Sequence, residues 1–270
     1  MSVKTRLISG TLFFIVILLG LINKWTFLAV FSAFLLIQIS EYLKIIRKKY
    51  QPQYWLTLIA SASIFLTLFF AAEQKRIFLS FLAVDYLLII ILICLELLST
   101  KNNKLENVSV SIFPLIYNAV GFSSLNFIAF WPKHHFNPYA ILAFFAIIWA
   151  TDISAFFFGS WLGKKPLAKN ISPKKTIEGT IAGIAAGFIT AIVESLLIKQ
   201  FPLSLGIILG LLIPISGTIG DLLESAIKRQ MQVKDSGSIM PGHGGLLDRF
   251  DSTTLAAALT ALTLLFFAKL

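Results

Sequence analysis

The sequence predicts an all-α protein that crosses a membrane about nine times, and three observations carry that expectation. Hydrophobic residues fill 57% of the 270 positions while 13% are charged, about half the charged share of an ordinary soluble domain. Apolar stretches approaching the roughly 20 residues that a spanning helix needs recur nine times along the chain. The 23 Lys and Arg fall unevenly between those stretches, 17 on one side and 6 on the other, as expected where cytoplasmic loops hold the excess of basic residues.

The first stretch, Leu7 to Ile22, follows Lys4 and Arg6 like a signal sequence but lacks a small-residue cleavage site, so it reads as a retained helix. Trp25 to Ile39, Tyr54 to Ala72, Ile77 to Ser99 and Val108 to Trp131 come next. Tyr139 to Leu162, Gly179 to Ile198, Leu205 to Ile227 and Thr253 to Ala268 complete the nine. The larger basic group shares the amino-terminal side, which places the N terminus in the cytoplasm and the C terminus outside. Two segments are expected, a scaffold of five lipid-facing helices over 1–131 and a functional segment of four helices over 132–270 with cytoplasmic loops.

Composition also excludes several chemistries. The net charge of +10 would suggest nucleic acid in a soluble protein, but here the basic residues lie between apolar runs, where they set topology. A single cysteine, Cys94, permits neither an intrachain disulfide nor a cysteine zinc site. The chain lacks a P-loop, an HExxH helix and a GxSxG elbow.

Polar chemistry gathers in the second half. Asp152 sits between apolar residues, where an ionised group is costly and so either faces a polar cavity or bonds to a neighbouring helix. Ser172, Pro173, Lys174, Lys175 and Thr176 precede a helix start, where positive dipole and free N–H groups favour anions. Such lysines equally serve topology or contact with anionic lipid. Asp221, Glu224, Ser225 and Lys228 share one helical face after Pro214, Gly217 and Gly220. Asp221 reads as cavity-facing, or as an intrahelical partner of Ser225, with Glu224 pairing Lys228. The segment from Ser225 to Asp251 then combines Lys228, Arg229, Lys234, Asp235, His243, Asp248, Arg249 and Asp251 with four glycines. Gly242, Gly244 and Gly245 around His243 suit a concavity of backbone N–H groups for phosphate. Asp248 and Asp251 share a face if a helix begins near Leu247, and oxygen ligands suit Mg²⁺. Asp248 or Asp251 also reads as a cap of the last helix, Asp251 because Ser252 and Thr253 follow it. Gly179, Gly183 and Gly187, four apart, mark a close helix contact. Asp85, Glu96 and Glu194 have no partner that the sequence names.

The pattern Ser225-x-x-Lys228-Arg229-x4-Lys234-Asp235-x5-Pro241-x-His243-Gly244-Gly245-x-x-Asp248-Arg249-x-Asp251 resembles the signature of the phosphatidate cytidylyltransferases, or CDP-diacylglycerol synthases. Thr151-Asp152, Gly159, Gly163-Lys164 and Ile171 to Gly179 resemble that family's second patterned region. The likeness covers roughly 150–252, and no charged position of the signature is missing. It implies an integral membrane enzyme that makes CDP-diacylglycerol and pyrophosphate from CTP and phosphatidic acid with Mg²⁺; the basic-residue asymmetry puts its active site on the cytoplasmic side of the cell membrane.

The residues suit that chemistry. A phosphate monoester is already largely ionised near neutral pH, so it attacks the α-phosphorus of CTP without a strong base. The obstacle is the meeting of two polyanions, which cations and positioning overcome. On this reading Asp221 and Asp248 hold Mg²⁺, with Asp251 and a second cation of open identity. Lys174, Lys175, Lys228 and Arg229 bind phosphates and His243 orients a phosphate oxygen. Asp152 belongs with this catalytic group. Ser172, Ser225, Lys234, Asp235, Gly244, Gly245 and Arg249 contact substrate. Association of two copies through membrane helices is compatible with this reading. A CTP-dependent lipid-alcohol kinase would share CTP, Mg²⁺ and lysines but would need a base beside an unactivated hydroxyl and would release CDP. A non-enzymatic lipid transporter would account for the intramembrane acids but not for the Asp, His and Gly cluster.

Overall fold

A computed structural model describes residues 3–100, 102–198, 201–242 and 244–267. Among them each apolar stretch becomes a helical run: α1 (Val3–Gly20), α2 (Lys24–Ile46), α3 (Tyr54–Ala72) and α4 (Phe78–Leu98), then α5 (Lys104–Ala129) and α6 (Pro138–Leu162). The remainder are α7 (Ile177–Ile198), α8 (Leu203–Gln230) and α9 (Leu247–Phe267). Eight of these, α2 to α9, are long and apolar enough to cross a membrane. The apolar part of α1, Leu7–Gly20, is shorter. The protein is thus an all-α polytopic membrane protein.

Local sequence accounts for the irregularities. Asn23 caps α2, its side chain accepting from the N–H groups of Trp25 and Thr26, while Thr26 Oγ1 accepts from the Asn23 N–H at 3.0 Å. Pro114 lacks an N–H, and directly after it α5 widens to a π-helical stretch over Leu115–Val120. The lysine-rich segment before α7 folds into an antiparallel ribbon of β1 (Pro166–Ala168) and β2 (Ser172–Thr176). Its pairing puts Pro166 opposite Thr176 and Ala168 opposite Ser172. Without apolar alternation, the sequence of this ribbon carries no strand signal. The helix that contains Ile39 continues to Ile46, seven residues beyond the apolar run, because Glu41 and Lys44 lie within a helical pattern whose neighbours Tyr42, Leu43, Ile45 and Ile46 are buried.

The chain forms two compact units, one of residues 1–126 and 230–250, the other of 127–229 and 251–270. In the first, aromatic rings build the core. Phe27 stacks on Phe31 at 4.4 Å between centroids, and Phe250 meets Phe122 edge-on at 4.9 Å and Phe34 at 5.3 Å. Phe250 therefore ties the 230–250 segment into this unit. Buried acids are braced there too: Asp85 accepts from Thr67 Oγ1 at 2.6 Å, and Glu96 accepts from the Gln53 N–H at 2.8 Å and Ser111 Oγ at 3.1 Å.

In the second unit α6 and α7 pack closely along the glycine stripe. A methyl group on Gly183 would stand 2.7 Å from the Thr151 carbonyl oxygen, and one on Gly179 would stand 2.6 Å from that of Ala155. The stripe thus does what its spacing promises, letting two backbones approach. Glu194 is buried where α7 ends in a π-helical stretch.

Candidate active site

The α6–α7 approach leaves a cavity of about 450 Å³ in the second unit. From α6 come Thr151, Asp152, Ala155, Phe156, Gly159 and Ser160. The ribbon strand β2 supplies Lys174, Lys175 and Thr176, α7 supplies Thr180, and α8 supplies Thr218 and Asp221. Two cationic side chains, two carboxylates and four hydroxyl-bearing threonines thus share one space with the apolar Ala155 and Phe156.

Each element is held in place by an identifiable contact. Thr176 caps α7, accepting from the Gly179 N–H at 3.2 Å. Glu178 Oε2 accepts from the Lys164 and Lys165 N–H groups at 3.0 and 3.3 Å, and the Ile177 N–H donates to the Lys165 carbonyl at 2.9 Å. These bonds fasten the start of the ribbon to the start of α7, so β2 carries its lysines to the cavity. Lys175 forms an ion pair with Asp221 Oδ2, and Ser225 Oγ donates to Asp221 Oδ1 at 3.3 Å. Asp221 therefore faces the cavity and also makes the intrahelical contact that its spacing allows.

Further along α8, Lys228 and Glu224 pair at 3.0 Å, both buried, and Arg229 Nε donates to the Ile171 carbonyl at 3.2 Å. Asp251 lies four residues inside α9, so it does not cap that helix; its Oδ1 accepts from the Ser252 N–H at 2.7 Å. Its carboxyl interacts electrostatically with Asp221, Asp152 and Lys228. Ser172 is half-buried on β2.

The other half of the signature, 230–250, is built within the first unit. Asp248 Oδ2 accepts from the Ser236 N–H, Ser236 Oγ and the Gly245 N–H, each at 2.8 Å. The Met240 N–H donates to the Gly244 carbonyl at 3.0 Å, closing a tight turn in which Gly242 and Gly244 take φ of 81° and 87°. Those angles are what glycine allows cheaply. Lys234, Asp235 and Arg249 are exposed. His243 lies outside the described residues.

Two acidic or hydroxylic residues here were not signalled. Glu41, fully buried on α2, accepts from the Leu247 N–H at 2.8 Å and from Ser236 Oγ at 3.2 Å. Its place beyond the apolar run of the second helix hid it, and Ser236 lies inside the signature but at a position the pattern leaves open.

Among the described residues no three His, Cys, Asp or Glu side chains are gathered into a metal cage. Mg²⁺ does not require one, since one or two carboxylates plus substrate phosphates commonly hold it. Asp152 and Asp221 line the cavity, so it offers carboxylate oxygens of the kind that Mg²⁺ takes.

Residues 3–267 match the model of the cytidylyltransferase family. A phosphatidate cytidylyltransferase of Synechocystis is 32% identical over 268 residues, covering 88% of each chain. The chain belongs to the phosphatidate cytidylyltransferase family. Two further phosphatidate cytidylyltransferases share a shorter, more similar part. That of Staphylococcus aureus is 43% identical over 136 residues, 50% of this chain and 52% of its own, so this family member spans about half the length of that relative in the match. That of Bacillus subtilis is 47% identical over 107 residues, 39% of this chain and 40% of its own.

Proposed function

We propose that this protein transfers CMP from CTP to phosphatidic acid, giving CDP-diacylglycerol and pyrophosphate for phospholipid synthesis. The observation that carries this reading, beside family membership, is the cavity that joins Lys174 and Lys175 to Asp152 and Asp221 against an apolar wall. An oxygen of the phosphatidate monoester bonds to the α-phosphorus of CTP, and the bond from that phosphorus to the bridging oxygen of the β-phosphate breaks. Pyrophosphate leaves with the electron pair. Little proton chemistry is required, so positioning and charge neutralisation carry the acceleration.

Lys174 and Lys175 neutralise phosphate oxygens, and Lys175 exchanges its partner Asp221 for substrate. Lys228 and Arg229 add positive charge near the end of α8. Asp221 and Asp248, with Asp251, are the carboxylates assigned to Mg²⁺, and when bound the ion would supply neutralisation of the triphosphate. A second cation has no assigned identity. Asp152 orients groups within the cavity. Ser172 and Ser225 are assigned to substrate contacts. In the 230–250 segment, Lys234, Asp235, Gly244, Gly245 and Arg249 are assigned to substrate contacts.

The nine-span reading, with a cytoplasmic N terminus and the site on the cytoplasmic side of the cell membrane, belongs to this proposal. It rests on the basic-residue asymmetry. The test is detergent-purified protein with labelled CTP, phosphatidic acid and Mg²⁺, followed by lipid extraction. Label in the lipid with stoichiometric pyrophosphate is expected. CDP released alongside a phosphorylated lipid alcohol would instead identify a kinase, and an absence of CTP turnover would leave only the transporter reading.

A further inference from the structure

We infer that Glu41 is a positioning residue for the 230–250 loop, and the inference rests on the proposed cytidylyltransfer reaction for its kinetic consequence. Glu41 belongs to α2, remote in sequence from every residue of the signature, and its side chain is 2% exposed. A buried carboxylate is kept only where donors compensate its lost hydration. Glu41 Oε2 has two, the Leu247 N–H at 2.8 Å and the Ser236 hydroxyl at 3.2 Å.

Those donors stand on either side of the Met240–Gly244 turn. Leu247 opens α9, so the carboxylate sits at the N-terminal end of that helix, where a negative charge is favoured. Ser236 stands eleven residues earlier in the chain, and its hydroxyl also contacts Asp248 Oδ2 at 2.8 Å. One hydroxyl carries a single proton, so Ser236 is shared between the two carboxylates and couples the setting of one to the other. The remaining bonds to Asp248 come from the Ser236 and Gly245 N–H groups.

Glycine makes the approach possible. A side chain on Gly237 would strike Glu41 Oε1, and one on Gly245 would strike both Ser236 Oγ and Glu41. Two signature-segment glycines thus leave the room that a residue on α2 fills. The loop's fixed shape, and with it the direction of the Asp248 carboxylate, depends on a group outside the signature.

The experiment compares the parent with Glu41→Ala, Glu41→Gln and Ser236→Ala in detergent, using two readouts. Amide hydrogen exchange follows Gly245 and Leu247, and steady-state kinetics measure CDP-diacylglycerol formation. Glu41→Ala is expected to speed exchange at both amides and to lower kcat by about 100-fold, the scale of a misplaced reacting group, with the KM for phosphatidic acid near the parent value. Gln retains an oxygen acceptor, so Glu41→Gln is expected to recover most of the protection and of kcat. A merely stabilising Glu41 would lower the folded fraction and leave kcat per folded molecule at the parent level.

Unchanged exchange in Glu41→Ala, parent-level kcat in that variant, or a Gln variant as impaired as the Ala variant would each overturn the assignment. Should Glu41→Ala fail to purify, Ser236→Ala removes one of the two contacts and is read by the same criteria. A parent that makes no CDP-diacylglycerol would overturn the proposed function instead, and the exchange comparison would then decide the anchoring by itself.

Discussion

Asp221 and its partner Lys175 show how one ion pair connects burial to chemistry. A carboxylate within an apolar helix is costly to ionise, and here the Lys175 ammonium and the Ser225 hydroxyl offset that cost. The same pairing keeps a cation and a metal-suited anion together in one cavity. Asp221→Asn keeps the size and removes the charge; purified protein of this variant should lose about 100-fold or more in CTP turnover, the scale of several kcal/mol of charge stabilisation. Insertion and yield should match the parent, and near-parent turnover would remove Asp221 from the proposed metal set. A second test separates substrate binding from topology. Replacing Lys174 and Lys175 with Gln, while adding two lysines earlier in the same loop, preserves the loop's charge. Activity should fall sharply with orientation unchanged, and full activity would return these lysines to a purely topological role.

Between α6 and α7 the decisive feature is absence of side-chain volume. Backbone oxygens of Thr151 and Ala155 occupy the space that a β-carbon would need at Gly183 and Gly179, and a backbone cannot rotate away as a flexible side chain can. Gly183→Ala should therefore lower the stability of the second unit by about 1–3 kcal/mol, the usual cost of overpacking. A lower thermal midpoint in detergent, together with weaker substrate turnover from a widened cavity, is the expected result. An unchanged midpoint would show that α6 and α7 can separate at little cost. The ribbon before α7 works differently, because it has almost no core of its own. It is fastened by Glu178, Thr176 and main-chain bonds, which suffices to deliver two lysines to a cavity formed by helices.

At the scale of the molecule, membrane orientation governs which solutes reach the site. The asymmetry of basic residues predicts that the loop holding Lys169 and Lys174 is cytoplasmic and that the exposed His134 and His135 lie outside. Labelling needs a background in which the exposed Cys94 is replaced. In intact cells His135→Cys should then react with an impermeant maleimide, while Lys169→Cys should react only after permeabilisation. The opposite pattern would place the cavity away from cytosolic CTP and overturn the proposed orientation.

Much of this protein is determined by sequence alone, because run length and charge type are properties of contiguous residues. Among the described residues each of the nine apolar stretches becomes a helical run, and the glycine spacing foretells the α6–α7 contact. The second patterned region names Asp152, Lys174 and Lys175, and the cost of a carboxylate at membrane depth names Asp221, as chemistry-bearing residues before any geometry is known. Only the tertiary structure decided that these four, drawn from α6, β2 and α8, line one cavity, and that Asp251 lies inside a helix instead of capping it. It also decided the partnership of Glu41 with Ser236 and Leu247, separated from it by 195 and 206 positions. No local pattern encodes such a contact. A hydrogen bond between remote segments exists only after helix packing has brought its donor and acceptor together and removed the water that would otherwise satisfy both.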